Sequence, residues 1–166
     1  MSSGWAAVAV LRSIVLWVAA IVGAACIVLF LAAILFGIRP QSVISGSMTP
    51  FMPTGSLVLV RDAPASDLKV GEVITVPRPN GEGLITHRIV AITPAERGYS
   101  VVLRGDANAA DDPQPYTIAH AGRVLVVIPG VGFIAELLRT PFGIGGVVLV
   151  ALALIAAYAV PQRRGG

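Results

Sequence analysis

The chain has 166 residues, enough for one modest domain with appendages and too short for two full cores. It is 55% hydrophobic and 13% charged, with a mean hydropathy of +0.83; a soluble domain carries about 25% charged residues, so the missing charge points to segments solvated by lipid. The net charge of +3 is mild and no Lys/Arg cluster alternates with aromatics, which leaves nucleic-acid binding without support.

No charged residue lies between Arg12 and Arg39, and 14–38 is almost continuously apolar. At about 1.5 Å per helical residue that run reaches roughly 37 Å, ample for a hydrocarbon core of about 30 Å. A cleavable leader would have an apolar core of only about 7–15 residues, so the run reads as a retained anchor. Cys26 lies inside it and is the only cysteine. An intramolecular disulfide and a Cys-based metal centre are thereby excluded, and Cys26 reads as a small apolar residue.

The middle of the chain, 39–139, reads as β-rich. Short β-branched runs stand at 56–60 (SLVLV), 73–76 (VITV), 88–92 (RIVAI), 99–104 (YSVVLR) and 123–128 (RVLVVI), with Gly, Pro, Asn and Asp between them. Strands this short at this spacing predict a small barrel or sandwich, not βαβ units. Pro129-Gly130-Val131-Gly132 reads as a turn toward a second apolar segment, 140–161, which carries no charge between Arg139 and Arg163. Pro141 suits a helix's first turn and Pro161 a place where a helix ends. Arg12 before the first span, with Arg163 and Arg164 after the second, puts both ends in the cytoplasm and 39–139 outside.

Three polar segments in the middle region carry candidate chemistry. Ser45-Gly46-Ser47-Met48-Thr49-Pro50 begins soon after the first span. A tight turn there can present a hydroxyl and aim N–H groups at one point, as a nucleophile and an oxyanion hole require. Ser, Gly and Pro also crowd together in ordinary loops, so a base must accompany it. Lys69, the only lysine, lies in a charged turn and reads as a solvated charge. His87, in the segment LITHRIV, begins a strand and has the imidazole that can take and return a proton near neutrality. His120, the other histidine, reads as a surface residue. The loop RGDANAADDP, 104–113, holds Asp106, Asp111 and Asp112. A triad needs one carboxylate to orient the imidazole, and by residue type any of the three qualifies. Turn formation is the competing role for such a loop, and the spacing of an EF-hand calcium loop is absent.

The ordered set SGSMTP, THRIV, RGDANAADD and PGVGFI, over about residues 38–135, resembles type I signal peptidases. The likeness is to the endoplasmic-reticulum and archaeal type, also found in some Gram-positive bacteria. The resemblance implies a serine endopeptidase with Ser47 as nucleophile and His87 as base, where bacterial-type relatives use a lysine. It also implies Asp112 as the charge-relay partner, Asp106 as a second important carboxylate and Ser45 as an oxyanion contributor beside the Ser47 N–H. Position 107 is Ala where members of the endoplasmic-reticulum type usually have Asn.

Residues 1–13 are expected to be cytoplasmic, 14–38 an anchor, 39–139 an extracytoplasmic β-rich protease domain, 140–161 a second span and 162–166 a cytoplasmic tail. The expected reaction removes leader peptides from preproteins at the cell membrane, or on the lumenal face of the endoplasmic reticulum if the source is eukaryotic. No cofactor or metal is expected; the expected partners are signal peptides, the bilayer, and accessory membrane subunits or a secretion translocon. The alternatives are a self-cleaving protein or other serine hydrolase on a related β scaffold, and a non-catalytic membrane scaffold.

Overall fold

The computed structural model describes residues 3–159 apart from Asn80 and Glu82. The first apolar run forms one helix, α1 (Ser3–Leu35). In hydrocarbon every main-chain polar group must find its partner within the segment, and a helix achieves that. Within α1, Ala7–Leu35 is long and apolar enough to cross a membrane, and large side chains such as Trp17, Ile21 and Phe30 are exposed. The helix starts earlier than the expected anchor and stops before Ile38. Gly37, with φ +64° and its N–H bonded to the Ile34 carbonyl, closes the last turn. Ile38 instead opens a strand.

Residues Ala33–Glu136 form one compact unit built on a seven-stranded, fully antiparallel, curled sheet. The strands are β1 (Ile38–Ser42), β2 (Leu57–Pro64), β3 (Val73–Pro77), β4 (Leu84–Ala95), β5 (Gly98–Arg104), β6 (Tyr116–Ile118) and β7 (His120–Ile128). Their spatial order is β1-β2-β7-β3-β4-β5-β6. The five β-branched runs become β2, β3, β4, β5 and β7; β2 begins one residue later than its run, at Leu57, and every strand gains one or more residues. β1 and β6 carried no such signal: β1 contains Pro40 and Gln41, and β6 is three residues long.

Both faces of the sheet are covered. Ile74, Val76, Ile89, Val101, Leu103, Tyr116 and Ile118 belong to a cluster on one face. Met48, Met52, Val58, Val60 and Val73 form a second cluster. Successive strand residues point to opposite faces, so neighbouring Val73 and Ile74 serve different clusters, which is why β3 carries buried residues on both faces. Shifts of register at Leu59/Val60 and at Ile89/Ala91 mark bulges that add local twist.

The turn expected at 129–132 is shorter than that. Gly130 turns the chain, and α2 (Val131–Arg139) begins at once. Thr140 follows, its Oγ1 accepting from the Gly143 N–H, and then α3 (Pro141–Ala159). α3 is the second helix long and apolar enough to cross a membrane. Its expected end at Pro161 and the tail 162–166 lie outside the described residues. α1 and α3 belong to a separate, helical unit, in which Trp17 and Ala20 of α1 share a cleft with Ile155 and Tyr158 of α3.

Candidate active site

Ser47 stands in a tight turn after β1, held by bonds from Thr49 N–H to the Gly46 carbonyl (3.0 Å) and from Met52 N–H to the Met48 carbonyl (2.8 Å). Met48 and Met52 are each 1% exposed. One helical turn apart, they drive their side chains into the second core cluster and so fix the turn that carries Ser47. Neither methionine was singled out from the sequence, because a Met beside Ser and Pro has no strand or helix period to mark it.

His87 lies on β4, directly opposite Ile74 of β3, and paired residues share a face of the sheet. That places the imidazole on the face of Ile89 and Tyr116, and it is 4% exposed. Its Nε2 is 3.1 Å from Ser47 Oγ. Its Nδ1 is 2.9 Å from both Asp112 Oδ1 and Oδ2. An ionised carboxylate only accepts, so these partners put the imidazole proton on Nδ1 and leave the Nε2 lone pair facing the serine hydroxyl.

Asp112 receives a further bond from the Tyr116 hydroxyl at 3.0 Å. Burial, then the bond to Asp112 and the nearby carboxylate charge, push the Tyr116 phenol up to about 12, with Arg78 opposing. The phenol is therefore a donor at any ordinary pH. Tyr116 was not named among the candidates, since four residues beyond Asp112 it looks like any strand aromatic.

The three aspartates separate clearly. Asp112 faces His87; Asp106 makes a two-pronged pair with Arg88, from Nε to Oδ1 at 2.8 Å and from Nη2 to Oδ2 at 2.6 Å. Asp111 lies 3.5 Å from Arg104 at the surface. The Arg88 guanidinium also donates from Nη1 to the Gly71 carbonyl at 2.7 Å and stacks 5.1 Å from the Phe51 ring centroid. Asp106 thus touches neither Ser47 nor His87. It straps the acidic loop to β4 through Arg88, and Arg88 in turn covers the ring of Phe51. Its hydrogen bond raises the Arg88 pKa, burial working against it. Arg88, adjacent to His87, was missed because its side chain points to the other face of the strand.

The acidic loop also closes directly on the serine turn. The Ala107 N–H donates to the Ser47 carbonyl at 2.9 Å, and the Asp106 N–H reaches Met48 Sδ at 3.4 Å. A Cβ on Gly105 would stand 2.6 Å from the Ser47 carbonyl oxygen, so only glycine permits this approach. Because position 107 contributes its main-chain N–H, Ala serves there. Ser45 is exposed, with its Oγ 3.4 Å from Ser47 Oγ. Lys69 is exposed in the turn before β3, and His120 is a surface residue whose Nδ1 lies 3.0 Å from Asp62. Among the described residues no group of His, Cys, Asp and Glu is arranged to hold a metal ion.

The sequence matches the family described as signal peptidase, peptidase S26, over residues 14–104. That stretch includes Ser47 and His87 and stops short of Asp106 and Asp112. The chain is 42% identical over 81 residues to Signal peptidase I W of Bacillus subtilis, a match covering 48% of this chain and 42% of that protein. It is 30% identical over 122 residues to the Signal peptidase complex catalytic subunit SEC11 of Verticillium alfalfae, covering 68% of this chain and 71% of the relative. The protein of the same name from Chaetomium globosum is 29% identical over 122 residues, with the same coverage. Two apolar helices fit membrane association, and the family match spans more than half of the sequence. The chain belongs to the signal peptidase family of serine endopeptidases, peptidase S26.

Proposed function

We propose that this chain is a membrane-bound signal peptidase that cuts leader peptides from preproteins outside the cytoplasm, with Ser47 as nucleophile, His87 as general base and Asp112 as the orienting carboxylate. The observation that carries this reading is the continuous relay of Ser47 Oγ, His87 Nε2 at 3.1 Å, and Asp112 at 2.9 Å from His87 Nδ1.

In this mechanism Nε2 takes the Ser47 proton as Oγ attacks the scissile carbonyl carbon. Asp112 stabilises the imidazolium, and Tyr116 holds Asp112 in place. Among the described residues the Ser47 N–H has no hydrogen-bond partner, so it is available to the developing oxyanion, with the Ser45 hydroxyl beside it. The imidazolium then returns its proton to the leaving amine. Water, deprotonated by the same nitrogen, cleaves the acyl-enzyme and restores the hydroxyl.

An open strand edge supports an extended substrate. Residues 84–87 of β4 pair with β3 on one side, whereas pairing with β5 begins only at Arg88. A peptide laid along that free edge beside His87 satisfies its own main-chain groups and offers alternate side chains to the sheet face.

The basic flanks support a topology with both termini in the cytoplasm, α1 and α3 crossing the bilayer, and the catalytic unit outside. The fungal relatives are named as catalytic subunits of a signal peptidase complex. By that similarity we assign this chain accessory membrane subunits or a translocon as partners.

A serine-directed acylating probe, with the labelled residue located by mass spectrometry, tests the reading. Label is expected on Ser47 in the parent and nowhere in Ser47→Ala, together with cleavage of an added preprotein in trans. Undiminished cleavage by Ser47→Ala would overturn it.

A further inference from the structure

We propose that α2 is a lipid-seated helix that sets the height of the serine turn above the bilayer. The inference rests on the reading that α3 crosses the membrane.

The helix is inside out for a water-solvated element. With 3.6 residues per turn, Phe133, Ile134, Leu137 and Leu138 fall within one arc of about 140°. All four are exposed, Phe133 by 64% and Ile134 by 58%. Gly132, the one buried residue of α2, lies on the opposite side, flanked by Glu136 and Arg139. A helix packed on a soluble domain turns its apolar stripe inward and its charges outward. Here glycine and one edge of the Phe133 ring make the docked contact, and the outward arc is entirely apolar.

Chain continuity identifies the occupant. Only Thr140 separates α2 from Pro141, the first residue of α3. An apolar face that ends next to a membrane span is within reach of the acyl boundary, where amphipathic helices lie with their apolar side immersed.

The other side of α2 is joined to the nucleophile with little slack. A Cβ on Gly132 would stand 2.4 Å from the Ser56 carbonyl oxygen, so the helix backbone rests directly on the 55–56 main chain. The Phe133 ring occupies the space where a Gly55 side chain would be. Gly55 and Ser56 in turn exchange hydrogen bonds with Val43, at 2.8 and 2.9 Å, and Val43 leads into Ser45 and Ser47. The path from lipid to nucleophile therefore runs from Ile134 through Gly132 to Ser56, Val43 and the serine turn.

The test uses the full chain in phosphatidylcholine/phosphatidylglycerol vesicles, in a Cys26→Ser background, with an environment-sensitive fluorophore on a single new cysteine. At Ile134→Cys the label should be quenched by shallow nitroxide lipids and protected from aqueous iodide. At Arg97→Cys, on the exposed β4–β5 hairpin, the reverse is expected. Iodide quenching of the 134 label as strong as at 97, or protection at 134 from both quenchers, would overturn the proposal. Quenching of a Leu149→Cys label by deep nitroxide lipids tests separately whether α3 spans, so failure of that reading is told apart. As a functional arm, Ile134→Glu should lower cleavage of a bilayer-anchored preprotein by about tenfold, since an immersed apolar side chain is lost. Hydrolysis of a short soluble peptide should stay within about twofold of the parent, because a side chain facing lipid makes no contact with the triad. Equal effects on both substrates would overturn the proposal.

Discussion

The Ser47 carbonyl oxygen accepts a hydrogen bond from the Ala107 N–H at 2.9 Å. Together with the Asp106 N–H on Met48 Sδ at 3.4 Å, this contact registers the loop that supplies Asp112 against the turn that supplies Ser47. His87 sits between the two on a separate strand. The site's geometry thus depends on loop-to-loop closure as much as on the sheet.

Gly105→Ala should misplace the serine turn. The added Cβ meets the Ser47 carbonyl oxygen at 2.6 Å, and that neighbour is backbone with little freedom to yield. A displacement approaching 1 Å at Ser47, the proposed nucleophile, costs about 10²-fold in turnover. Steady-state cleavage of a peptide substrate should show the loss in kcat, with KM changed far less.

His87→Lys should be inactive even though lysine is a competent base in other settings. Asp112, 2.9 Å from the present imidazole nitrogen, would hold the ammonium charged. With a reference pKa of about 10.4 raised further, less than about 10⁻³ of the lysine is neutral at pH 7. Preprotein processing should fall by about 10³-fold or more, and recovery of activity toward high pH would identify protonation as the cause.

Asp112→Asn and Asp106→Asn should differ in kind. The first leaves the imidazole without its charged partner and should lower kcat by about 10⁴-fold while the fold survives. The second breaks the two-pronged pair to Arg88, whose side chains are 34% and 18% exposed for Arg and Asp. A partly solvated pair of this kind contributes about 1 kcal/mol. Denaturant unfolding should show that modest loss, and the double change with Arg88→Lys should be less than additive.

Tyr116 should mark the alkaline limb of stability. Its pKa rises from 10 to about 12 on folding, so the native state favours the protonated phenol. That contribution is complete below about pH 10, the unfolded value, and is lost as pH climbs through about 12. Thermal melting of the parent should decline across this window more steeply than that of Tyr116→Phe. The difference in tyrosinate absorbance between the two should titrate near the upper value.

Much of the architecture was readable without coordinates, because it depends on local quantities. A membrane helix announces itself by length and absence of charge, and the 14–38 run differs from α1 at its ends. The helix's C-terminal end falls short of Ile38 because Gly37 stops α1 and because Ile38 finds a partner in Arg61 of β2, a pairing that no local pattern encodes. β6 was invisible for the same reason: three residues acquire strand geometry only by pairing with β5. α2 was hidden behind two glycines that suggested only a turn, although Gly132 is what lets the helix approach the 55–56 backbone.

The sequence by itself determined the inventory: one lysine, two histidines, two long uncharged stretches, and a hydroxyl-rich turn after the first of them. Hydrophobic length and residue scarcity are properties of composition, and they survive any folding. Only the tertiary structure decided which carboxylate stands behind the imidazole, since three aspartates within one short loop are equivalent by type. Their separation comes from the loop's path, clamped by Asp112 N–H to the Leu103 carbonyl at one end and by Ala107 N–H to Ser47 at the other. Contacts between residues 40 apart, such as Ser47 and His87, arise from how strands curl and close, not from the order of letters along the chain.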